Sequence, residues 1–183
     1  MNVKEKILQR REEKNKKLIH VSLEMETSTH FPMLMKAIQL TNGPVLEIGS
    51  GLFSTPLLHW MCFKDKRSLT TIESYEHYLE FAKEFETDWH KVQFLPPTEA
   101  PTPEKYSVVF VDHSPKKPRT RGSDALLFKD SDYIVLHDGG VDANPKYGYQ
   151  EIYSQFKYVY HWNDIVPNTT VLSNFHELTN FSE

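Results

Sequence analysis

The chain of 183 residues has room for one domain with a substantial core, carries a formal net charge of -4 and contains a single cysteine, Cys62. One cysteine excludes an internal disulfide and a zinc site built from paired cysteines, and the acidic balance offers no broad basic surface for nucleic acid. No apolar run is long enough for a signal peptide or a membrane span, so we expect a cytoplasmic protein that binds neither membrane nor nucleic acid.

The first part of the chain differs in composition from the rest. Charged residues dominate the N-terminal segment 1–22, which we expect to form a solvated helix or an arm, whereas residues 23–183 are expected to form a single domain. Apolar spacing from Leu23 to Leu40 predicts a helix, and Pro32 must lie in its first turn or break it. The turn-forming residues Asn42-Gly43-Pro44 end this segment.

Short apolar segments then alternate with segments of helical spacing. Predicted strands cover 45–48, 68–72, 92–95, 106–111, 133–136, 158–162 and 170–172. Predicted helices cover 55–62, 75–89, 123–128 and 148–156. Strands that are apolar on both faces and alternate with helices indicate a parallel sheet covered on both sides. The last two strands have no helix between them, so the prediction is a doubly wound, Rossmann-like α/β sheet, mostly parallel, with an antiparallel C-terminal edge.

Glycines follow the first predicted strand at the point where such sheets bind ligands. Gly49 and Gly51, separated by Ser50, permit a tight turn and a close approach of the backbone to a ligand in front of the next helix. Glu73 ends the second strand, where a carboxylate can accept hydrogen bonds from both hydroxyls of a ribose. Together, the turn and the acid predict a nucleoside-containing cofactor.

The composition of the turn favours one kind of nucleoside. A dinucleotide site would place a third glycine where this chain has Ser54, and Glu47 precedes the first glycine by two residues. A carboxylate there would repel a pyrophosphate but suits the amino group and sulfonium of S-adenosylmethionine.

The segment from Val45 to Gly51 resembles motif I of class I methyltransferases, and Thr71-Ile72-Glu73-Ser74 resembles their second motif. The resemblance implies that S-adenosylmethionine is the cofactor, with Glu47, Gly49 and Gly51 at its methionine portion and Glu73 on its ribose. We also expect cofactor contacts from three neighbouring hydroxyl residues, Ser50, Thr55 and Ser74.

Two further segments bear on that resemblance. Glu26-Thr27-Ser28-Thr29 resembles an O-methyltransferase segment that helps to hold the cofactor carboxylate, which adds Thr29 to the expected site; a helix N-cap explains the same residues as well. After the third strand the family often carries an acid or amide for the adenine amino group, whereas this chain has Phe94-Leu95-Pro96-Pro97. Backbone groups and apolar contacts are expected to hold adenine instead.

Asp/His pairs end the fourth and fifth predicted strands, which lie side by side. Methyl transfer needs the donor and acceptor held in line and, for a hydroxyl acceptor, a group that accepts its proton. We expect Asp112 to lie nearest the transferred methyl group, His113 to act as the base because imidazole titrates near neutral pH, and Asp138 to orient the acceptor or the histidine. For His137 we expect a structural hydrogen bond to a loop carbonyl.

A divalent metal is an alternative at the same edge. Catechol O-methyltransferase and its relatives bind an ion with an Asp after the fourth strand and an Asp-Asn pair after the fifth. This chain offers Asp112 and Asp138-Gly139, so one ligand is missing unless Asp142 replaces it. The ligand set therefore does not favour a metal.

The segment from Ser114 to Asp124 combines Pro, Gly and four cationic side chains, which predicts a mobile lid that meets an anionic acceptor. Val111 to Pro115, this basic loop and Ala125-Leu126-Leu127 partly resemble the glucuronoxylan methyltransferase group. A solvated basic loop explains the same residues.

The prediction is thus a methyltransferase that uses S-adenosylmethionine and acts on a hydroxyl or carboxylate of a small or saccharide-like acceptor, which the basic loop suggests is anionic. A nicotinamide-dependent oxidoreductase and a non-catalytic nucleoside-binding domain of the same fold remain as alternatives. A chain this short leaves little sequence for an acceptor subdomain, so a second subunit of a homodimer is one source of the missing surface.

Overall fold

Seven strands and five helices appear in a computed structural model that describes residues 28–101 and 105–182. The strands are β1 (Val45–Ile48), β2 (Leu69–Glu73), β3 (His90–Phe94), β4 (Val108–Val111), β5 (Tyr133–His137), β6 (Tyr158–Trp162) and β7 (Thr169–Ser173). The helices are α1 (Phe31–Gln39), α2 (Ser54–Phe63), α3 (Glu76–Lys83), α4 (Arg121–Ala125) and α5 (Gln150–Tyr153). The predicted N-terminal arm, 1–22, lies outside the described residues, as does the segment 23–27.

The strands form one sheet in the order β3-β2-β1-β4-β5-β7-β6. The first five strands are parallel, whereas β7 runs antiparallel to both β5 and β6. The prediction of a mostly parallel, doubly wound sheet with an antiparallel C-terminal edge is therefore confirmed. The order in which strands are added to the sheet reverses at β1, so β1 and β4 are neighbours although two strands separate them in sequence. Sheets of this kind bind ligands at such a switch point.

Two apolar clusters cover the two faces of the sheet. Along β1, Val45 packs in one cluster and Leu46 in the other, and Val108 and Val109 divide in the same way on β4. Every residue of both strands is buried. The apolar residues on both faces of these strands are thus explained by helices above and below a central parallel sheet.

Helix α1 begins at Phe31, and Pro32 lies in its first turn, one of the two outcomes that the sequence allowed. Proline is tolerated there because the first amide groups of a helix lack intrahelical partners. Met33, Leu34, Ala37 and Ile38 form its buried side.

Helix α3 is shorter than predicted, and this part of the sequence prediction was wrong. The predicted helix covered 75–89, whereas α3 ends at Lys83. Beyond it, the amides of Phe85 and Glu86 donate to carbonyls three residues back, and the amide of Thr87 donates to the carbonyl of His90. The chain turns here because β3 has to begin at His90 to pair with β2.

The carboxyl ends of β1, β2, β4 and β5 meet at one edge of the sheet, since these strands are parallel and in register. This edge carries the glycine turn after β1, Glu73 at the end of β2, Asp112 after β4 and Asp138 after β5. Among the described residues, no helix is both long enough and apolar enough to cross a bilayer.

Candidate functional site

The turn between β1 and α2 depends on a glycine that approaches another loop closely. Gly49 has a φ of +88°, and a Cβ atom placed on it would lie 2.6 Å from both the backbone nitrogen and the Cα of His113. No side chain fits at that distance, and the positive φ is itself unfavourable for other residues. The turn after β1 and the segment after β4 are thus packed backbone against backbone.

Glu47 lies beneath this turn and is completely buried. Ser54 Oγ donates to its Oε1 at 2.6 Å, Thr71 Oγ1 donates to its Oε2 at 2.7 Å, and Thr55 Oγ1 lies 3.0 Å from both oxygens. Burial raises the pKa of Glu47 to about 7, against the opposing effect of these hydroxyls. The carboxyl group therefore joins the turn to β2 and to the start of α2, and its predicted contact with a cofactor stays a prediction.

Glu73 lies beside the same turn. Its Oε2 accepts hydrogen bonds from the amide and the hydroxyl of Ser50, both at 2.9 Å, and its Oε1 accepts from the amides of Ser74 at 2.6 Å and Tyr75 at 2.9 Å. The Ser50 hydroxyl also lies 3.2 Å from the carbonyl oxygen of Tyr78. Glu47 and Glu73 lie on neighbouring strands, near enough for the charge of Glu73 to contribute to the raised pKa of Glu47 after burial and the hydroxyl contacts.

Asp112, which directly follows β4, has cations on two sides. Its Oδ1 lies 3.0 Å from a terminal nitrogen of Arg121 and 3.2 Å from Nδ1 of His137. Burial would raise the pKa of Asp112, but the contact with His137 and the positive charges of His137 and Arg121 outweigh it, so this pKa is lowered. Asp112 is therefore an ionised carboxylate, and 24% of its side chain is still exposed.

His137, the last residue of β5, differs from expectation. Its ring contacts Asp112 through Nδ1 and the hydroxyl of Thr29 through Nε2 at 3.3 Å, instead of a loop carbonyl. The Thr29 hydroxyl donates its own proton to the carbonyl of Pro167 at 2.7 Å, so Nε2 must be the donor towards Thr29. Burial lowers the pKa of His137, but the neighbouring Asp112 raises it more, so the net shift is upward.

The ring of His113, predicted to be the base, contacts a different carboxylate, that of Asp124. Its Nε2 is 2.8 Å from a carboxylate oxygen of Asp124, whose other oxygen accepts from Arg119. Its Nδ1 is buried and has no hydrogen-bond partner among the described residues. The structure thus brings His137 to Asp112 and ties His113 to Asp124.

Arg121 is a site residue that sequence reasoning missed. It is 6% exposed, and its guanidinium contacts Asp112, Asp138 Oδ2 at 2.9 Å and the carbonyl of His113 at 2.5 Å. The predicted basic lid therefore contains an arginine that is buried in the site. A sequence signal existed: Thr120 and Ser123 form a capping box that begins α4, so Arg121 is the first residue of a helix at the edge where the site lies.

A second residue missed in sequence is His30, which is 1% exposed. Its ring packs 4.7 Å from Phe110 and 4.9 Å from His137, measured between ring centroids. Burial and the neighbouring His137 lower the pKa of His30 to about 3, so it is neutral. His30 is therefore a neutral ring packed behind His137, and neither of its nitrogens has a hydrogen-bond partner among the described residues.

The structure shows where the residues considered as metal ligands lie. Ligand atoms of Asp112, His137 and Asp138 lie within 4.8 Å of one another, whereas Asp142, the expected substitute ligand, is an exposed residue outside this group. Arg121 contacts both carboxylates of the group. These residues do not fit a divalent ion, because a fixed positive charge already lies on two of the three ligands.

Comparison with known proteins identifies structural but not sequence relatives. No family model matches the sequence, and no curated protein matches it significantly. Many solved structures are similar in fold, and three of them illustrate the range. Cofactor-bound Rv0187 from MTB has a TM-score of 0.60 at 16% identity and covers 87% of this chain and 84% of its own. The O-methyltransferase from Bacillus cereus in complex with SAH (S-adenosylhomocysteine) has a TM-score of 0.56 at 17% identity, covering 92% and 89%. Human methyltransferase-like protein 13 in complex with SAH has a TM-score of 0.56 at 16% identity, covering 82% and 83%.

These similarities extend over most of the chain and of each relative. They show that the chain has the fold of the class I methyltransferases, and the relatives include O-methyltransferases. The acceptor of this chain does not follow from them, and the partial resemblance to the glucuronoxylan group stays an expectation.

Proposed function

We propose that this protein transfers a methyl group from S-adenosylmethionine to a hydroxyl group of a small-molecule acceptor. The observation that carries the proposal is the meeting of the Gly49 turn, Glu73 and Asp112 at one edge of the sheet. Two of the structural relatives are described as complexes with SAH, the product form of that cofactor, and this supports the same cofactor here.

The residues around the turn fit a nucleoside. Glu73 is placed to accept hydrogen bonds from ribose hydroxyls, a position that the Ser50 hydroxyl now shares. Because the carbonyl of Tyr78 lies 3.2 Å from that hydroxyl, Ser50 can donate there instead and release Glu73 Oε2. The amides of Ser50, Ser74 and Tyr75 hold the Glu73 carboxyl group in a fixed orientation.

Gly49 lets the turn pack directly against the backbone of His113, which brings the turn next to Asp112 at the edge where the methionine portion of the cofactor would lie. Thr29, the other residue expected near that portion, lies next to His137. Glu47 supports this surface through the hydroxyls of Ser54 and Thr55. We assign Glu47 a positioning role that fixes the turn from below.

When bound, the cofactor supplies an electrophilic methyl group on a positively charged sulfur. Asp112, ionised and partly exposed, accepts a hydrogen bond from the acceptor hydroxyl and aims its oxygen at that methyl group. His137, in contact with Asp112 through Nδ1 and held by Thr29, keeps that carboxylate in place. We therefore place the proton-accepting function on Asp112 and not on His113.

The charge of the site favours a hydroxyl acceptor over a carboxylate. Asp112 and Asp138 both lie at the acceptor edge, with about a quarter of each side chain exposed (24% and 25%). Arg121 is already paired with both of them, so it is not free to bind an anionic acceptor. A neutral hydroxyl can donate to either carboxylate, whereas a carboxylate acceptor would be repelled.

Isothermal titration calorimetry with SAH and with NAD tests the cofactor assignment. We expect SAH to bind and NAD not to bind. Replacing Glu73 with Gln removes charge-assisted hydrogen bonds to ribose, worth about 1.5–3 kcal/mol, and should weaken SAH binding roughly 10- to 100-fold. Glu76→Gln, at an exposed residue of α3, is the matched control and should leave the affinity unchanged.

Micromolar binding of NAD without binding of SAH would contradict this proposal and favour a nicotinamide-dependent oxidoreductase. Equal SAH affinity in wild type and Glu73→Gln would remove Glu73 from the cofactor site.

A further inference from the structure

The guanidinium of Arg121 lies between two carboxylates that belong to different strands. One terminal nitrogen is 3.0 Å from Asp112 Oδ1 after β4, and the other is 2.9 Å from Asp138 Oδ2 after β5. Its Nε donates to the carbonyl of His113 at 2.5 Å. All three nitrogens of the guanidinium are therefore engaged, and the planar group joins the ends of two neighbouring strands.

The position of this side chain is fixed by its surroundings. The aromatic ring of Tyr147 lies against the guanidinium, 4.2 Å from ring centroid to Cζ. The next residue, Gly122, approaches the backbone of Gly148 so closely that a Cβ atom would lie 2.2 Å from its carbonyl oxygen. Thr120 caps the helix through Ser123. Arg121 thus begins a helix that has no room to shift away from the site.

The same carboxylates are members of the group that offers ligands to a cation. Asp112, His137 and Asp138 bring one ligand atom each to within 4.8 Å of the others, a set suited to Mn²⁺ or a similar ion. Arg121 contacts the Asp112 and Asp138 members of that set. An ion entering between them would have to displace the guanidinium, leaving a buried positive charge without its partners.

We propose that Arg121 is a built-in cation that takes the place of a divalent metal ion at the acceptor edge, so that the site works without a metal. Arg121 is a positioning residue that holds Asp112 and Asp138 at a fixed spacing. The part of this inference that concerns methyl transfer rests on the proposed function, whereas the exclusion of the metal by Arg121 does not.

Mn²⁺ binding tests whether Arg121 excludes a divalent ion from these ligands. Mn²⁺ alone is titrated into the full chain, and free Mn²⁺ is followed by electron paramagnetic resonance. We expect no binding by wild type up to about 1 mM Mn²⁺, because the guanidinium occupies two of the three ligands. Arg121→Met keeps a long apolar stem without the charge and should bind Mn²⁺ at least about 10-fold more tightly than wild type, since two carboxylate ligands become free beside His137.

Three further variants test whether the new binding depends on the charge of Arg121 and on the Asp138 carboxylate. Arg119→Met removes the neighbouring arginine, which pairs with Asp124 instead, and should leave Mn²⁺ binding as weak as in wild type. Adding Asp138→Asn to Arg121→Met should abolish the new binding. Arg121→Lys, which restores a positive charge, should again exclude the ion.

Tight Mn²⁺ binding by wild type that is lost in Asp138→Asn would overturn the proposal. So would an Arg121→Met protein that is folded by circular dichroism yet binds Mn²⁺ no better than wild type. The wild-type titration can overturn the proposal even if Arg121→Met does not fold. SAH affinity, measured separately, tests the proposed function, so the two can fail independently.

Discussion

The carboxyl group of Glu47 is enclosed by the hydroxyls of Ser54, Thr55 and Thr71 in a fully buried position. Three hydroxyls stabilise its charge only in part, because burial raises its pKa from 4.5 to about 7. The folded state therefore holds this proton more tightly than the unfolded chain. The contribution of Glu47 to the free energy of unfolding is fully present below pH 4.5 and is lost as the pH rises through about 7.

Glu47→Gln should flatten the pH dependence of unfolding. The shift corresponds to roughly 3 kcal/mol that wild type loses between pH 4.5 and 8, whereas an amide does not titrate. Urea unfolding at pH 5 and pH 8 measures the free energy of unfolding of each protein. Glu76→Gln, at an exposed position, serves as control and should follow wild type. A wild-type slope retained in Glu47→Gln would place the titrating group elsewhere.

Beyond Glu47 the polar network continues into the protein interior. The Thr71 hydroxyl donates to Glu47, so Nε2 of His90, 2.9 Å away, must donate to Thr71. Nδ1 of His90 lies 3.1 Å from Nδ1 of His59. Burial and the neighbouring His59 lower the pKa of His90 to about 4, so these rings form a neutral hydrogen-bonded chain that fixes β2 and β3 beneath the turn.

The site residues that could be predicted from the sequence are those that end a strand or directly follow one. Glu73 and Asp112 were predictable because parallel strands end at one edge, so their neighbourhood follows from topology. Arg121 was not, since its partners are 9 and 17 residues away across a loop whose shape sequence spacing does not define. The same reason explains why His137, and not His113, contacts Asp112: neighbouring residues after a strand point in different directions.

Among the strands and helices, the predicted bounds are right where the burial of apolar residues sets them and wrong where strand pairing sets them. β1 and β6 have the predicted bounds because their apolar or aromatic residues end abruptly at turn residues. Helix α3 was overestimated because apolar spacing continues to Trp89, while the need to pair His90 with β2 ends the helix six residues earlier. Helical periodicity carries no information about where the next strand must begin.

Strand β7 fixes the turn that carries Asp138. The hydroxyl of Thr170 accepts from the amide of Gly140 at 2.7 Å and lies 2.8 Å from Nδ1 of His161. A Cβ atom on Gly139 would lie 2.8 Å from the backbone nitrogen of Thr170. The antiparallel strand is thus in direct contact with the residues that follow β5, and Asp138 adopts a φ of +56° in this turn.

Replacing Thr170 with Val should lower the free energy of unfolding by about 1–3 kcal/mol, because the buried amide of Gly140 loses its acceptor without a loss of volume. Thr169→Val is a matched control on the adjacent residue. Both side chains are fully buried, but Thr169 Oγ1 has no hydrogen-bond partner among the described residues. Thr169→Val should therefore be neutral or stabilising. Urea unfolding of both variants gives the comparison, and equal losses would mean that the Gly140 contact contributes nothing.

Considered as a whole, the molecule brings four distant segments to one edge of its sheet. Thr29 before α1, the turn after β1 and the ends of β4 and β5 are far apart in sequence and depend on the complete sheet for their meeting. The site therefore forms only when the sheet has formed. Any ligand that binds it should stabilise the entire domain and not one loop.

Cys62 offers a direct measurement of this coupling. It is the single cysteine, lies on the inner side of α2 and is 1% exposed, and burial raises its pKa to about 11. Reaction with a disulfide reagent should therefore be slow in the folded protein and fast in urea. If labelling requires the domain to open, SAH at about 100 times its Kd should slow the reaction roughly 100-fold, because the ligand binds only the folded state. Cys62→Ser, which should give no signal, is the control for the reagent. Labelling of native Cys62 at the rate of a small free thiol would contradict the packing of α2, and labelling that SAH does not slow would mean that α2 opens independently of the site.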